Sequence, residues 1–295
     1  MDFLAWQGNE GNESMTARFG RGGLRGVVGV ALVVGMLTVT ASAQTFDEAA
    51  AAYERGDHRT AARDFRALAE QGDADAQFML GAMHVAGQGV PQDHVEVVRW
   101  YRLAAEQGHV GAQASLGIMY ASGLGVPQDH VEAVRWYRLA AEQGIADAQY
   151  QLGVSYVSGR GVQKDHAEAV RWFRLAAEQG YANAQLMLGV MHADGRGVPQ
   201  DHVEAVRWFR LAAEQGFAEA QFNLGVLYAN GGGVPQDYVQ AHKWLNLAAS
   251  RYSASENEKR DRAVRGRDKV AGLMASAQVA QAQQLAVEWQ PGGGH

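Results

Sequence analysis

The sequence predicts an all-α solenoid of stacked helical hairpins, and three observations carry that prediction. The first is a period. Ala76-Gln77 returns as Ala112-Gln113, Ala148-Gln149, Ala184-Gln185 and Ala220-Gln221, and Trp100 returns as Trp136, Trp172, Trp208 and Trp244, each 36 residues on. The second is punctuation: a Gly-x-Gly-Val turn such as Gly87 to Val90 divides each unit, and Gly72, Gly108, Gly144, Gly180 and Gly216 close successive ones. The third is the helical spacing of apolar residues between those glycines. Periods of about 20–50 residues mark units that cannot bury both faces alone and must stack.

Within a unit the first helix runs from about Ala76 to Ala86, with Leu80 and His84 on one face, and breaks at the glycine pair. The second opens on Asp93-His94-Val95-Glu96, a capping-box pattern in which Asp accepts from free N–H groups and Glu reaches back to the cap. The pattern repeats at Asp129, Asp165, Asp201 and, with Gln240 in the fourth place, Asp237. Val97, Trp100, Tyr101, Ala104 and Ala105 follow at helical spacing, and Gly108 suits the left-handed position after the helix. Gly81, Gly117, Gly153, Gly189 and Gly225 each cost roughly 1 kcal/mol of helix propensity. Their recurrence predicts close approach of another backbone, with the alanine pairs opposite. The tryptophans fill the remaining space, each worth ~3–5 kcal/mol against truncation to Ala.

The ends differ from the middle. Arg18, Arg21 and Arg25 precede an apolar run from Val27 to Val39 and the small-x-small site Ala41-Ser42-Ala43, which together read as a signal peptide over 1–43. The run is short of the roughly 20 residues of a membrane span, so cleavage after Ala43 leaves no stable membrane anchor; a retained anchor is the rival reading. Met15 opens a more usual signal than Met1. The expected location is periplasmic or secreted. Residues 44–75 form an N-terminal capping hairpin. Repeats follow over 76–111, 112–147, 148–183, 184–219 and 220–252, then C-terminal capping helices over 253–290 and a tail over 291–295. The two capping helices are placed at Ser255 to about Ala275 and Gln278 to Trp289.

The pattern Ala-Gln-x-x-Leu-Gly-x-x-Tyr-x-x-Gly-x-Gly-Val-x-x-Asp, then Ala-x-x-Trp-Tyr-x-x-Ala-Ala-x-x-Gly, resembles the Sel-1-like repeat family, relatives of tetratricopeptide repeats. The copy from Ala112 to Gly144 fits throughout, and the resemblance covers about residues 76–249. His84 and His192 depart from it where Tyr120, Tyr156 and Tyr228 keep it. The resemblance implies a right-handed α/α superhelix whose concave side, lined by first helices, binds proteins or peptides.

Catalytic and metal readings find little support. The chain has no Cys, which removes a disulfide scaffold, a thiolate site, a Cys nucleophile and a lipid-anchored Cys. Net charge is −6, the wrong sign for a general nucleic-acid binder. His94, His130, His166 and His202 share one register, but stacked helices lie roughly 8–10 Å apart, too far for equivalent side chains to share an ion at ~2 Å. The glycine turns follow no strand and precede no Lys-Ser/Thr, so a nucleotide site is not indicated. Some Cys-rich members of the resembled family are linked to penicillin binding. This chain has neither those cysteines nor a Ser-x-x-Lys. Arg99/Arg102 and their copies form a basic ladder balanced by Asp and Glu in each unit, which suits a solvated face of ion pairs. The basic stretch from Glu256 to Lys269 alternates in sign in the same way. No cofactor is expected.

The copies vary chiefly on the first helix. A groove is predicted along i, i+4, i+7 positions: Met79, Met83 and Ala86; Ser115, Met119 and Ser122; Gln151, Ser155 and Ser158; Met187, Met191 and Asp194; Asn223, Leu227 and Asn230. Methionine adapts to varied shapes, and short polar side chains can bond an extended peptide. Neutral drift on an exposed face would give the same variation. The function expected is a non-catalytic, exported scaffold for a protein or peptide partner. The alternatives are a cell-wall or β-lactam hydrolase by family association, or a structural protein that binds envelope polymers.

Overall fold

A computed structural model describes residues 45–291; the signal peptide and cleavage site expected from the sequence, and the last residues of the tail, lie outside that span. Among the described residues the chain is wholly helical. In order the α-helices are α1 (Phe46–Glu54), α2 (His58–Glu70), α3 (Ala74–Ala86), α4 (His94–Glu106), α5 (Val110–Ser122), α6 (His130–Glu142) and α7 (Ala146–Ser158). Then come α8 (His166–Glu178), α9 (Ala182–Asp194), α10 (His202–Glu214), α11 (Ala218–Asn230), α12 (Tyr238–Arg251), α13 (Asn257–Ala271) and α14 (Ser276–Glu288). From α1 to α13 each helix packs on its neighbours in sequence, giving the α/α right-handed superhelical solenoid. No helix among the described residues is long and apolar enough to cross a membrane.

The first helices begin two residues before the Ala-Gln pair; the Asp73 carboxylate caps α3, accepting from Ala76 N–H at 2.8 Å, whereas α7, α9 and α11 start after Ile145, Tyr181 and Phe217 with no side-chain cap. They end on a left-handed glycine, Gly87 at φ 65°. On the second helices the expected capping box forms by half. Asp93 accepts from Val95 and Glu96 N–H, but its own N–H is already given to His84 O, as Asp129 gives to Tyr120 O at 2.9 Å. With that donor used, Glu96 turns to Arg99 at 3.2 Å, and Glu132 to Arg135 at 3.3 Å.

The glycine inside α3, α5, α7 and α9 meets a ring rather than a backbone, while Gly225 of α11 meets the Leu245 side chain and the Ala241 carbonyl. A Cβ on Gly81 would stand 2.5 Å from the Tyr101 ring, and Gly117, Gly153 and Gly189 face Tyr137, Phe173 and Phe209 alike. The alanine pairs instead lie in the core between units. Each tryptophan reaches back into the previous unit: Trp136 of α6 shares a cluster with Val97, Tyr101 and Ala105 of α4. A second close approach ties units together. Gly161 (φ 70°) lies so near the His130 carbonyl of the preceding second helix that a Cβ would overlap it, and Gly89, Gly125, Gly197 and Gly233 repeat this on His58, His94, His166 and His202.

At the C-terminal end, α13 starts at Asn257 after a short 3-10 turn (Ala254–Glu256) and packs on α12. Helix α14 folds back onto α12 as well.

Candidate functional site

At 3.6 residues per turn, positions 79 and 86 point within about 20° of each other, while 83 is turned about 40° toward the face of Leu80. The structure separates the predicted rows along that line. Met83, Met119, Ser155 and Met191 are buried, and Leu227 is half-buried. Met83, Met119 and Met191 belong to core clusters, so this row is removed from the groove. Ser155 spends its hydroxyl on Gln151 O at 2.9 Å. Ala86, Ser122, Ser158, Asp194 and Asn230 are exposed along one edge. Met79, Gln151, Met187 and Asn223 are half-buried along the other, where Ser115 is buried.

Between these edges along the helix axis, and turned about 60° from position 79 on the side away from Leu80, runs a row that the sequence reading passed over: Ala82, Ile118, Val154, Val190 and Val226, each half-buried. The same helical arithmetic places it at the middle of the open face, and its apolar identity is the signal that was available. The surface therefore has an apolar floor with polar margins. Ser122 and Ser158 donate to Ile118 O at 2.7 Å and Val154 O at 2.9 Å, leaving their oxygens as acceptors. Asp194 pairs with Arg196 at 3.3 Å. Asn223 Nδ2 is buried without a hydrogen-bond partner. First helices α5 and α7 touch directly, as α11 does with the capping helix α13.

Beneath this surface runs a buried glutamine ladder. Gln149 donates to Ala141 O at 3.1 Å and accepts from Gln179 at 2.8 Å. Gln77, Gln113 and Gln185 do the same with Gln107, Gln143 and Gln215. It stops at Gln221, whose Oε1 is unpartnered because Arg251 stands where the next glutamine would be. Sequence reasoning used Ala-Gln only as a period marker; the matching glutamine at position 107 and its copies was the missed signal.

The four histidines of the metal reading, with His58 in the same register, each open a second helix under the next unit's glycine loop. Among the described residues no three metal-ligating side chains gather. Burial, then Lys164 and Arg196, hold the His166 imidazole below its ordinary pKa against Asp165. His109 caps α5 through Nδ1, which accepts from Ala112 N–H at 3.1 Å, while Nε2 faces Asp75 at 3.4 Å. Burial lowers its pKa and Asp75 opposes. The basic ladder is engaged within the fold: Arg138 donates to Tyr156 Oη at 3.1 Å and Arg210 to Tyr228 Oη at 2.8 Å, each across a unit boundary. Arg99 and Arg135 lie over Trp100 and Trp136 at 4.8 and 5.3 Å. At His192 neither ring nitrogen has a hydrogen-bond partner.

Comparison with known proteins agrees with this architecture. A Sel1 repeat protein from Oxalobacter formigenes superposes with a TM-score of 0.68 at 34% identity, over 72% of this chain and 87% of that one. The c5321 protein, a protective antigen present in uropathogenic Escherichia coli strains and displaying an SLR fold, does so with a TM-score of 0.57 at 31% identity, over 84% of this chain and 61% of that one. No curated protein matches. Sel1 repeat proteins generally serve as non-catalytic scaffolds that bind protein partners. The Sel1 repeat profile matches residues 74–109, 110–145, 146–181, 182–217 and 218–253, more than half of the chain, which belongs to the Sel1 repeat family.

Proposed function

We propose that this chain is an exported, non-catalytic adaptor that recognises an extended segment of another protein along its first-helix face. The observation that carries the reading is the pairing of a constant apolar floor with margins that change from unit to unit. Ile118, Val154, Val190 and Val226 supply contact area, while Ser122, Ser158, Asp194 and Asn230 differ along one edge and Gln151, Met187 and Asn223 along the other. A site of that kind binds through its floor and selects through its margins. The exported location rests on the arginines, apolar run and Ala41-Ser42-Ala43 site of the first 43 residues.

Selection of peptides from a random displayed library on the purified chain tests the binding reading. Selected peptides should bind the parent saturably and lose at least about tenfold affinity, roughly 1.4 kcal/mol, on Ser122→Arg/Ser158→Arg/Asn230→Arg. Absence of enrichment, or peptides indifferent to those substitutions, would refute it. N-terminal sequencing of exported material should begin at Gln44; retention of the full chain inside the cell would refute the location.

A further inference from the structure

The start of the first helix changes from unit to unit. Asp75 with Phe78, Asp147 with Tyr150, and Glu219 with Phe222 each place an acid three residues before an aromatic, in the first, third and fifth units. The second unit has Gly111 with Ala114 there, and the fourth Asn183 with Leu186. Asp147 precedes Gln151 by four residues and Val154 by seven, so it belongs to the same open face of α7.

In the third and fifth units a tyrosine after the second helix completes the group. Tyr181 Oη donates to Asp147 Oδ1 at 2.6 Å, and Tyr252 Oη donates to Glu219 Oε2 at 3.2 Å. The Tyr150 and Tyr181 rings lie 5.3 Å apart. In the first unit His109 stands in the tyrosine's place, with Nε2 already 3.4 Å from Asp75.

The fifth unit shows what such a group accepts. Lys259 Nζ of α13 lies 3.4 Å from Glu219 Oε2 and 5.9 Å from the centre of the Tyr252 ring, and Arg262 Cζ lies 4.6 Å from that of Phe222. An ion pair and two cation–π contacts thus meet the acid and both rings. In the third unit α9 follows in place of α13, and it contains neither Lys nor Arg. Among the described residues no cation pairs with Asp147, and the phenol that bonds it carries no charge. Asp147 and Tyr181 are half-buried, so the group stays partly open.

We propose that the group formed by Asp147, Tyr150 and Tyr181 receives a lysine or arginine side chain of the segment bound along the first helices. The inference rests on the first-helix reading above and adds the partner's chemistry: an apolar segment that carries a basic residue. Val154 and Val190 take its apolar part, and the net charge of −6 favours its approach.

Two displayed peptide libraries test it, one fully random and one without Lys and Arg, both selected on the full chain. Binders from the random library should be enriched in Lys or Arg at one position. The tightest of them, fluorescently labelled, is titrated and followed by anisotropy. Asp147→Asn should weaken it roughly fivefold, the upper range for an exposed ion pair. The loss should vanish when Met replaces the peptide's Lys or Arg, because the contact is then already gone. Asn183 and Phe217 hold the matching places one unit on, so Asp147→Asn and Tyr181→Phe suit the fold. Tyr181→Phe keeps the charge and should bind as the parent does. Equal enrichment from both libraries, or an Asp147→Asn loss that persists with the Met peptide, would overturn the cation site and leave the first-helix reading standing. A loss in Tyr181→Phe as large as in Asp147→Asn would assign the effect to local packing and overturn it too. No binder from either library would overturn both.

Discussion

Gly161→Ala and Gly180→Ala form a matched pair that isolates the contact between units. Both glycines have left-handed backbones, φ 70° and φ 84°, so both alanine variants carry the same strain of roughly 1–2 kcal/mol, partly offset by about 0.4–1 kcal/mol from a stiffer unfolded chain. Their surroundings differ. A Cβ at Gly180 meets nothing within 4 Å, whereas at Gly161 it overlaps the carbonyl of His130 in the preceding unit. Backbone cannot rotate away as a side chain tip can, so the loop must retreat, and overpacking of this kind adds ~1–3 kcal/mol. Gly161→Ala should therefore lose about 2–4 kcal/mol and Gly180→Ala about 1 kcal/mol. Urea unfolding followed by circular dichroism reads the difference. With a slope of ~3 kcal/mol/M the midpoints should separate by roughly 0.3–1 M. A broader transition in Gly161→Ala is also expected, because a solenoid with one weak interface begins to unfold in parts. Equal losses in the two variants would refute the claim that these loops fasten neighbouring units.

Trp136→Ala should cost ~3–5 kcal/mol by calorimetry, since its indole is buried in the preceding unit's core, while Leu139→Ala, exposed on the same helix, should stay within about 0.5–1 kcal/mol. Met119→Asp should destabilise severely by burying a carboxylate, whereas Ser122→Asp, one turn on and exposed, should leave the melting temperature nearly unchanged. Acid should weaken the fold through His109. Its folded pKa lies below the ordinary 6.5, so the unfolded chain binds more protons and stability falls as pH drops below about 6.5. Protonation also removes the lone pair that accepts from Ala112 N–H. His109→Asn, which caps without titrating there, should make the fall in melting temperature between pH 7.5 and pH 5 shallower, leaving the part carried by His166 and His242, whose pKa burial also lowers; an unchanged pH profile would count against this role.

What could be read beforehand was whatever repeats. Trp100 and its copies, the Asp caps and the glycine loops declare themselves by period, and the hairpin boundaries follow within two residues. Contacts that depend on how helices cross were not legible. Gly81 announced a close neighbour, but only the crossing of α3 and α4 shows that it is the Tyr101 ring. The Met83 row was assigned to the groove by spacing alone, although a turn of about 40° carries it into the core. The glutamine ladder was half visible, since both partners recur but lie 30 residues apart, and their meeting depends on how units stack. The seat of α14 left no periodic trace, because it occurs once.

The central claim is that recognition occurs on the first helices, and amide hydrogen exchange of the chain with and without a library-selected peptide tests it most directly. Protection is predicted in the C-terminal halves of α5, α7, α9 and α11, in consecutive units, with α6, α8 and α10 unchanged. Protection confined to the second helices or the glycine loops, with the first helices exchanging as in the free chain, would contradict it.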